Sequence, residues 1–342
     1  MVAAGESMTE VQAAHGTTDI TPLLEPLQVG QLTLAVDHPS AASNPMFARL
    51  NDGTKAAWRA CVDAVHEAGG RIFLQLWHQG AVDTGKAGPD FTALSPSGLE
   101  KPGKEFGRPA TVAELAEISD AFARGARTAK EIGADGVEVH ACHGYLLDQF
   151  LWPQINLRTD KYGGADIRDR AAFPAEVLHS VRAAAGPDYP VSVRLSQWKE
   201  ADYEARVAQR PEELGHLVDA LSGADVLHVS TRRFWTPEWP DVDPDRGLAA
   251  WVKEFTDTPV IAVGSVGLGL GLDVMATLDG AEAKPTGPSR IADLVRRFQR
   301  GDFDLISVGR SLIGDPDWVA KMSDGRGAEI RPFRRADLQW LS

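Results

Sequence analysis

Cysteine is scarce in this chain. Its two cysteines among 342 residues, Cys61 and Cys142, form no spaced set, so neither a disulfide framework nor a cysteine-rich zinc site is indicated, and a reducing cytoplasm is the expected compartment. Long apolar runs are missing as well: none approaches the roughly 18 to 20 residues that cross a bilayer. The amino terminus, MVAAGESMTEVQAAHG, has no basic stretch followed by an apolar core, so no export signal is expected. Positive charge is in deficit. The 35 basic residues face 48 acidic ones, a net charge of −13, which repels nucleic-acid backbones and anionic membrane surfaces and leaves small or neutral molecules as the expected partners.

What is present is material for one large core. At 43% hydrophobic content, the stretch 20–342 reads as a single domain, preceded by a small, polar, aperiodic segment 1–19 that is expected to be a disordered leader. ITPLLEPLQVGQLTLA, residues 20–35, carries Val-Gly-Gln between apolar flanks and reads as a short hairpin; residues 36–53 are rich in turn formers. From residue 54 a regular alternation sets in. Helices are expected over 55–68, from the Thr111/Glu114 capping box onward, and over 166–185, 211–221, 248–256, 288–300 and 311–322. The first six each precede an apolar strand: RIFLQLW (71–77), DGVEVH (135–140), YPVSVRLS (189–196), DVLHVS (225–230), PVIAVGS (259–265) and FDLISVG (303–309). Near-continuous apolar strands alternating with helices require a parallel sheet covered on both faces, so the fold class is α/β.

Functional-looking residues gather at the carboxyl ends of these strands: Gln75, His78, His140, Arg194, Ser230, Gly264 and Gly309. A doubly wound sheet and a barrel both bind ligands there. The glycines at the mouths of the last two strands favour the barrel, which commonly grips phosphate in that place. The densest cluster, His140, Cys142, His143 and Tyr145, opens the stretch HACHGYLLDQFLWPQINLRTDKYGG. Taken singly, its members have plainer readings. The two histidines could be a metal pair, although no carboxylate completes the set; Tyr145 could be an amphipathic core residue; Gln75 and Arg194 could satisfy each other inside a barrel. Trp235 and Trp239 either wall a pocket or cap the barrel.

QLWHQG, the HACHGYLLDQF stretch, VRLSQWK, VIAVGSVG and LISVGRSLIGDPDW, in that order, resemble the old yellow enzyme family of flavin-dependent oxidoreductases over roughly residues 54 to 335. The resemblance implies a (β/α)₈ barrel with bound FMN that takes electrons from NAD(P)H and reduces the C=C bond of an enone or enal. It implies that Gln75 and Arg194 meet the flavin pyrimidine edge, and that Gly264, Ser265, Gly309 and Arg310 hold the phosphate. His140 and His143 would polarise the substrate carbonyl, and Tyr145 would deliver a proton, with no metal required.

The chain also departs from that family. Where the family places a first strand, a helix and a second strand, Leu34 is followed almost at once by Asp37-His38-Pro39-Ser40. Roughly 40 residues, a βαβ-sized piece, are missing, and six barrel strands are recognisable. LQVGQLTLAV, residues 27–36, offers one replacement strand; no second is apparent. Two outcomes stay open: a pocket rebuilt by residues 20–53 or by the partner in a homo-oligomer, with flavin kept, or a flavin-poor relative with a non-redox acid–base or binding role.

Overall fold

The computed structural model describes residues 29–44, 47–88, 90–269 and 288–341; the expected leader, 1–19, lies outside them. The chain opens with β1 (Val29–Ala35), α1 (Lys55–Glu67), β2 (Arg71–Trp77), α2 (Val112–Glu131) and β3 (Gly136–His143). It continues through α3 (Leu146–Leu151), α4 (Ala172–Ala185), β4 (Val191–Lys199), α5 (Pro211–Ala220), β5 (Val226–Ser230) and α6 (Leu248–Glu254). It closes with β6 (Val260–Val263), α7 (Pro288–Arg300), β7 (Leu305–Ile306), α8 (Arg310–Gly314) and α9 (Trp318–Ser323).

β1 to β7 form one seven-stranded sheet in which each strand pairs with the next in sequence, and every pairing is parallel. This order separates the two α/β architectures. Right-handed crossovers that always advance in one direction put every helix on the same face, so the other face can only curl on itself, as in a barrel. A doubly wound sheet would reverse order at a switch point. Among the described residues β1 and β7 do not pair with each other, and the barrel is open between them.

The hairpin expected over residues 20–35 is corrected where it falls on described residues. Val29–Ala35 is one continuous strand, in register with β2 from Val29 opposite Arg71 to Ala35 opposite Trp77. Gly30 is no turn residue here but a member of a terminal strand, where glycine costs the sheet least. The chain thereby gains a seventh strand, next to the first of the six that the apolar runs had marked.

Local rules account for the rest. The Thr111 hydroxyl accepts from the Glu114 N–H while the Glu114 carboxylate accepts from the Thr111 N–H, a complete capping box, and Leu115, Ile118, Phe122 and Ala126 form the buried stripe of α2. The buried face of α1 is shallower. Val62 is buried, Trp58 and Val65 are half-buried, and Cys61 faces solvent, because α1 flanks the open end of the sheet. Two expected helices are broken. The 166–185 segment splits into a turn, Ile167–Arg170, and α4; the 311–322 segment splits at Pro316 into α8 and α9, since proline cannot supply the N–H that a continuous helix requires. The main apolar cluster runs from Leu34 to Trp318. At Gly136 an added Cβ would lie 2.4 Å from the Phe73 ring, so this glycine lets β2 and β3 close over that side chain. Among the described residues no helix is long and apolar enough to cross a membrane.

Candidate active site

The strand register builds the site in two tiers. Thr33, Gln75, Glu138 and Ser192 lie side by side across β1, β2, β3 and β4, and their side chains join in one line. The Thr33 hydroxyl donates to Gln75 Oε1 (2.7 Å), Gln75 Nε2 donates to Glu138 Oε1 (2.7 Å), and the Ser192 hydroxyl donates to Glu138 Oε2 (2.8 Å). Gln75 is 1% exposed. Its partners are Thr33 and Glu138 rather than Arg194, and each end of its amide keeps one unused bonding position. Burial alone would raise the Glu138 carboxyl, but His228, whose Nδ1 is 3.0 Å away, and Arg194 pull it down to about 2. A fixed negative charge therefore sits beneath the pocket.

Two residues further along the strands, His140, Arg194 and His228 form the next tier. Beyond it β3 bulges between Ala141 and His143, bringing His143 opposite Lys199. His143 holds a positive φ of 65°, a conformation that non-glycine residues keep only when their surroundings enforce it. The enforcement is visible. The His143 N–H donates to the Ser196 hydroxyl at 3.0 Å, and Gly144, at φ 89°, donates to Asp148 Oδ2 at 2.6 Å. Asp148 in turn accepts from Lys199 Nζ at 2.7 Å, and both side chains of that pair are fully buried. The turn His143-Gly144-Tyr145 is thus pinned from β4 and from the first turn of α3.

The result is a cluster of rings. The centroids of His140 and His143 are 5.5 Å apart, and His140 and Tyr145 meet edge-on at 5.2 Å. Trp77 packs edge-on against Tyr145 at 5.1 Å, while Trp198 stacks on His143 at 4.4 Å. Burial, reinforced by the Arg194 charge, lowers His140 to about 3. Burial likewise holds His143 well below the usual imidazole range, with His140 and Arg194 adding to the effect. Both histidines are therefore neutral at physiological pH and present an N–H donor rather than a cation. The Ser230 hydroxyl lies 2.8 Å from His143 Nε2 and accepts from Arg194 Nη2 at 3.3 Å. Burial pushes the Tyr145 phenol far above its ordinary value, so it keeps its proton, and the hydroxyl donates to Glu200 at 3.0 Å.

Of the residues singled out in the sequence, His140, His143, Tyr145 and Arg194 come together at this end of the barrel. Gly264, Ser265, Gly309 and Arg310 form a second group just past the paired strands β6 and β7. The Ser265 hydroxyl is engaged by the Arg232 carbonyl at 2.8 Å. Trp235 and Trp239 do not reach the rings. Trp239 packs on Trp251 of α6 and donates to the Gln209 carbonyl, and Trp235 carries the Arg290 guanidinium of α7 on its face. They pack toward α6 and α7, while Trp77 and Trp198 sit against the ring cluster. Glu138, His228, Asp148, Lys199 and Glu200 went unremarked in the sequence; the available signal was a charged or polar residue inside an otherwise apolar run, as in GVEV, VLHV and LLDQF.

The fit of these residues to a flavin rests on their unspent hydrogen bonds. Among the described residues, the arginines with a buried side-chain N–H that bonds to nothing are Arg194, at Nε, and Arg310, at Nη1. Arg310 is lowered by burial, with no anion among the described residues to hold it up. A buried guanidinium N–H without a partner is costly unless an anionic or accepting ligand completes it. The residues present fit a pyrimidine edge at the first and a phosphate at the second. His140, Cys142 and His143 also bring their potential ligand atoms within 4.8 Å of one another. Among the described residues no carboxylate joins them, burial raises the Cys142 thiol so that it stays protonated, and Ser230 engages His143 Nε2.

Comparison with known proteins places the chain in a family. Residues 26–277 match the model of the NADH:flavin oxidoreductase / NADH oxidase family. An NADH oxidase of Thermoanaerobacter brockii is 32% identical over 310 residues, covering 86% of this chain and 43% of that protein. A putative 12-oxophytodienoate reductase-like protein of Arabidopsis thaliana is 37% identical over 270 residues, 76% of this chain and 74% of that one. The chain thus spans less than half of the first relative and about three quarters of the second. The solved structure of morphinone reductase in complex with tetrahydroNAD superposes with a TM-score of 0.68 at 25% identity, over 87% of this chain and 78% of the other. The chain belongs to the NADH:flavin oxidoreductase / NADH oxidase family, that of the old yellow enzyme.

Proposed function

We propose that this protein reduces the C=C bond of α,β-unsaturated carbonyl compounds, with FMN as cofactor and NAD(P)H as reductant. The observation that carries the reading is the pair of arginines that keep a buried N–H unbonded among the described residues, Arg194 at Nε and Arg310 at Nη1, at the two places where the family holds the ends of its flavin. Gly264, Ser265 and Gly309 would hold the phosphate with Arg310, and Gln75 the pyrimidine edge with Arg194. FMN, when bound, supplies hydride taken from NAD(P)H.

The chain's own residues do the remainder. Neutral His140 and His143 donate to the carbonyl oxygen, where charge grows as the alkene is attacked; fixed donors in a dry site stabilise that charge most. Tyr145 supplies the proton for the carbon next to the carbonyl. Trp77 and Trp198 exclude water from the space between.

The purified protein is expected to show, or to gain on addition of FMN, a visible flavin band, and to oxidise NAD(P)H in the presence of cyclohexenone. A colourless protein that binds no FMN would favour the flavin-poor alternative. His140→Ala is expected to weaken binding of a phenol to the oxidised holoenzyme by about tenfold or more, the value of one hydrogen bond to a charged or strongly polar ligand. Because His140 is lowered to about 3, it remains a neutral donor across the neutral range, and the size of that loss should not change between neutral and mildly acidic pH. Titration of the flavin absorbance measures both; unchanged affinity counts against the donor role.

A further inference from the structure

In the resting structure the only proton of the Tyr145 phenol is committed. The hydroxyl donates to Glu200 Oε2 at 3.0 Å. The Glu200 N–H donates to the His143 carbonyl at 3.0 Å, so Glu200 is fastened through backbone and side chain to the turn that carries Tyr145. The two residues also differ in exposure. Tyr145 is half-buried between Trp77 and His140, whereas Glu200 reaches solvent. The pair makes a two-member path from water to the ring cluster.

Building on the alkene-reductase reading, we propose that Glu200 is the positioning and proton-resupply residue for Tyr145. With Glu200 ionised, the phenol proton points at the carboxylate and away from the substrate. With Glu200 protonated, its O–H donates to the phenolic oxygen, and the phenol O–H is released toward the alkene. In the transfer, the Tyr145 O–H bond breaks and a C–H bond forms at the carbon beside the carbonyl, using the electron pair of the enolate. The phenolate left behind takes the Glu200 proton, and the carboxylate recovers one from solvent. No further oxidant or reductant enters these steps.

The surroundings keep other charges away from the pair. At the N-terminus of α3 the titratable side chain that meets Glu200 is Tyr145. Lys199, the preceding residue and the last of β4, turns the other way to pair with Asp148. From β3, His143 meets Glu200 through its carbonyl and has a neutral ring. Asp202 meets Lys199 through backbone bonds in the following turn. Loss of solvent on the side turned to Tyr145 raises the carboxyl above its usual range, and the bond from Tyr145 opposes that effect.

The test is the enone half-reaction of pre-reduced holoenzyme, followed by stopped flow as a function of pH. In the wild type the rate is expected to fall, by up to about tenfold per pH unit, once pH passes the Glu200 pKa. In Glu200→Gln the amide N–H donates to the phenol at every pH, so the decline should vanish. Glu200→Ala should be slower at all pH values. The NAD(P)H-consuming half-reaction should follow the same profile in all three proteins. A glutamine variant that retains the wild-type inflection overturns the proposal. A wild type that reduces no enone defeats the alkene-reductase reading instead. The coupling is then judged by the carbon-13 signal of the Tyr145 Cζ, assigned by its loss in Tyr145→Phe. That signal should shift with pH in the wild type and not in Glu200→Gln, and a wild-type signal indifferent to pH overturns the coupling.

Discussion

Replacing Tyr145 with phenylalanine is expected to slow enone reduction by about 10²- to 10⁴-fold, the usual contribution of a positioned general acid, while leaving the NAD(P)H-consuming half-reaction nearly unchanged. The asymmetry follows from the chemistry: only the half-reaction that consumes the alkene needs a proton on carbon. It also follows from the packing. A phenylalanine ring keeps the edge contacts with Trp77 at 5.1 Å and with His140 at 5.2 Å, and loses only the hydroxyl and its bond to Glu200. Burial and the neighbouring Glu200 charge hold the phenol protonated far beyond neutrality, so its own ionisation contributes no pH dependence in the working range. Stopped-flow measurement of the two half-reactions separates the roles. Equal losses in both would make Tyr145 a structural residue of the ring cluster and leave the proton donor to be sought elsewhere.

The parts of the fold that sequence revealed are those set by burial on both faces. RIFLQLW, VSVRL and VLHV are strands because a parallel sheet between helices tolerates nothing else. VGQLTLA was harder to read. At an end of the sheet its glycine costs little, so Val-Gly-Gln imitated a turn, and its partner strand lies 42 residues further on. Pro316, which divides α8 from α9, was a local signal that the periodicity around it concealed. In the site, His140, His143, Tyr145 and Arg194 stood out through their order along the chain, but what holds them did not. Glu138 meets His228 across 90 residues and Asp148 meets Lys199 across 51, and no local pattern records a pairing that exists only after the sheet forms. The tryptophans show the same limit. Four of them lie near strand ends, and contact alone decides that Trp77 and Trp198 meet the ring cluster while Trp235 and Trp239 pack toward α6 and α7.

Lys199→Met is expected to lower stability at neutral pH by about 3–5 kcal/mol, the cost of leaving one member of a buried ion pair without its partner. Asp148 and Lys199 are fully buried and 2.7 Å apart. Desolvation already raises Asp148 to about 6 in the intact pair, with Lys199 pulling in the opposite direction. Removing Lys199 removes that pull, so the folded-state pKa must rise further, while the unfolded carboxyl stays near about 3.9. The sign is then determined. Between the two values the folded variant binds more protons than the unfolded chain, so its stability is greatest at acidic pH and falls as pH rises, by up to about 1.4 kcal/mol per unit. Urea denaturation of wild type and variant at acidic and neutral pH measures the difference: the gap should be wide at neutral pH and narrow toward the acidic end. A gap that does not change with pH would show that Asp148 stays ionised without Lys199 and that water reaches it. Asp148 also accepts the Gly144 N–H at 2.6 Å, and protonation weakens that bond. The turn holding His143 at its positive φ should therefore loosen in the variant, so that ligand affinity declines together with stability even though neither Asp148 nor Lys199 belongs to the ring cluster.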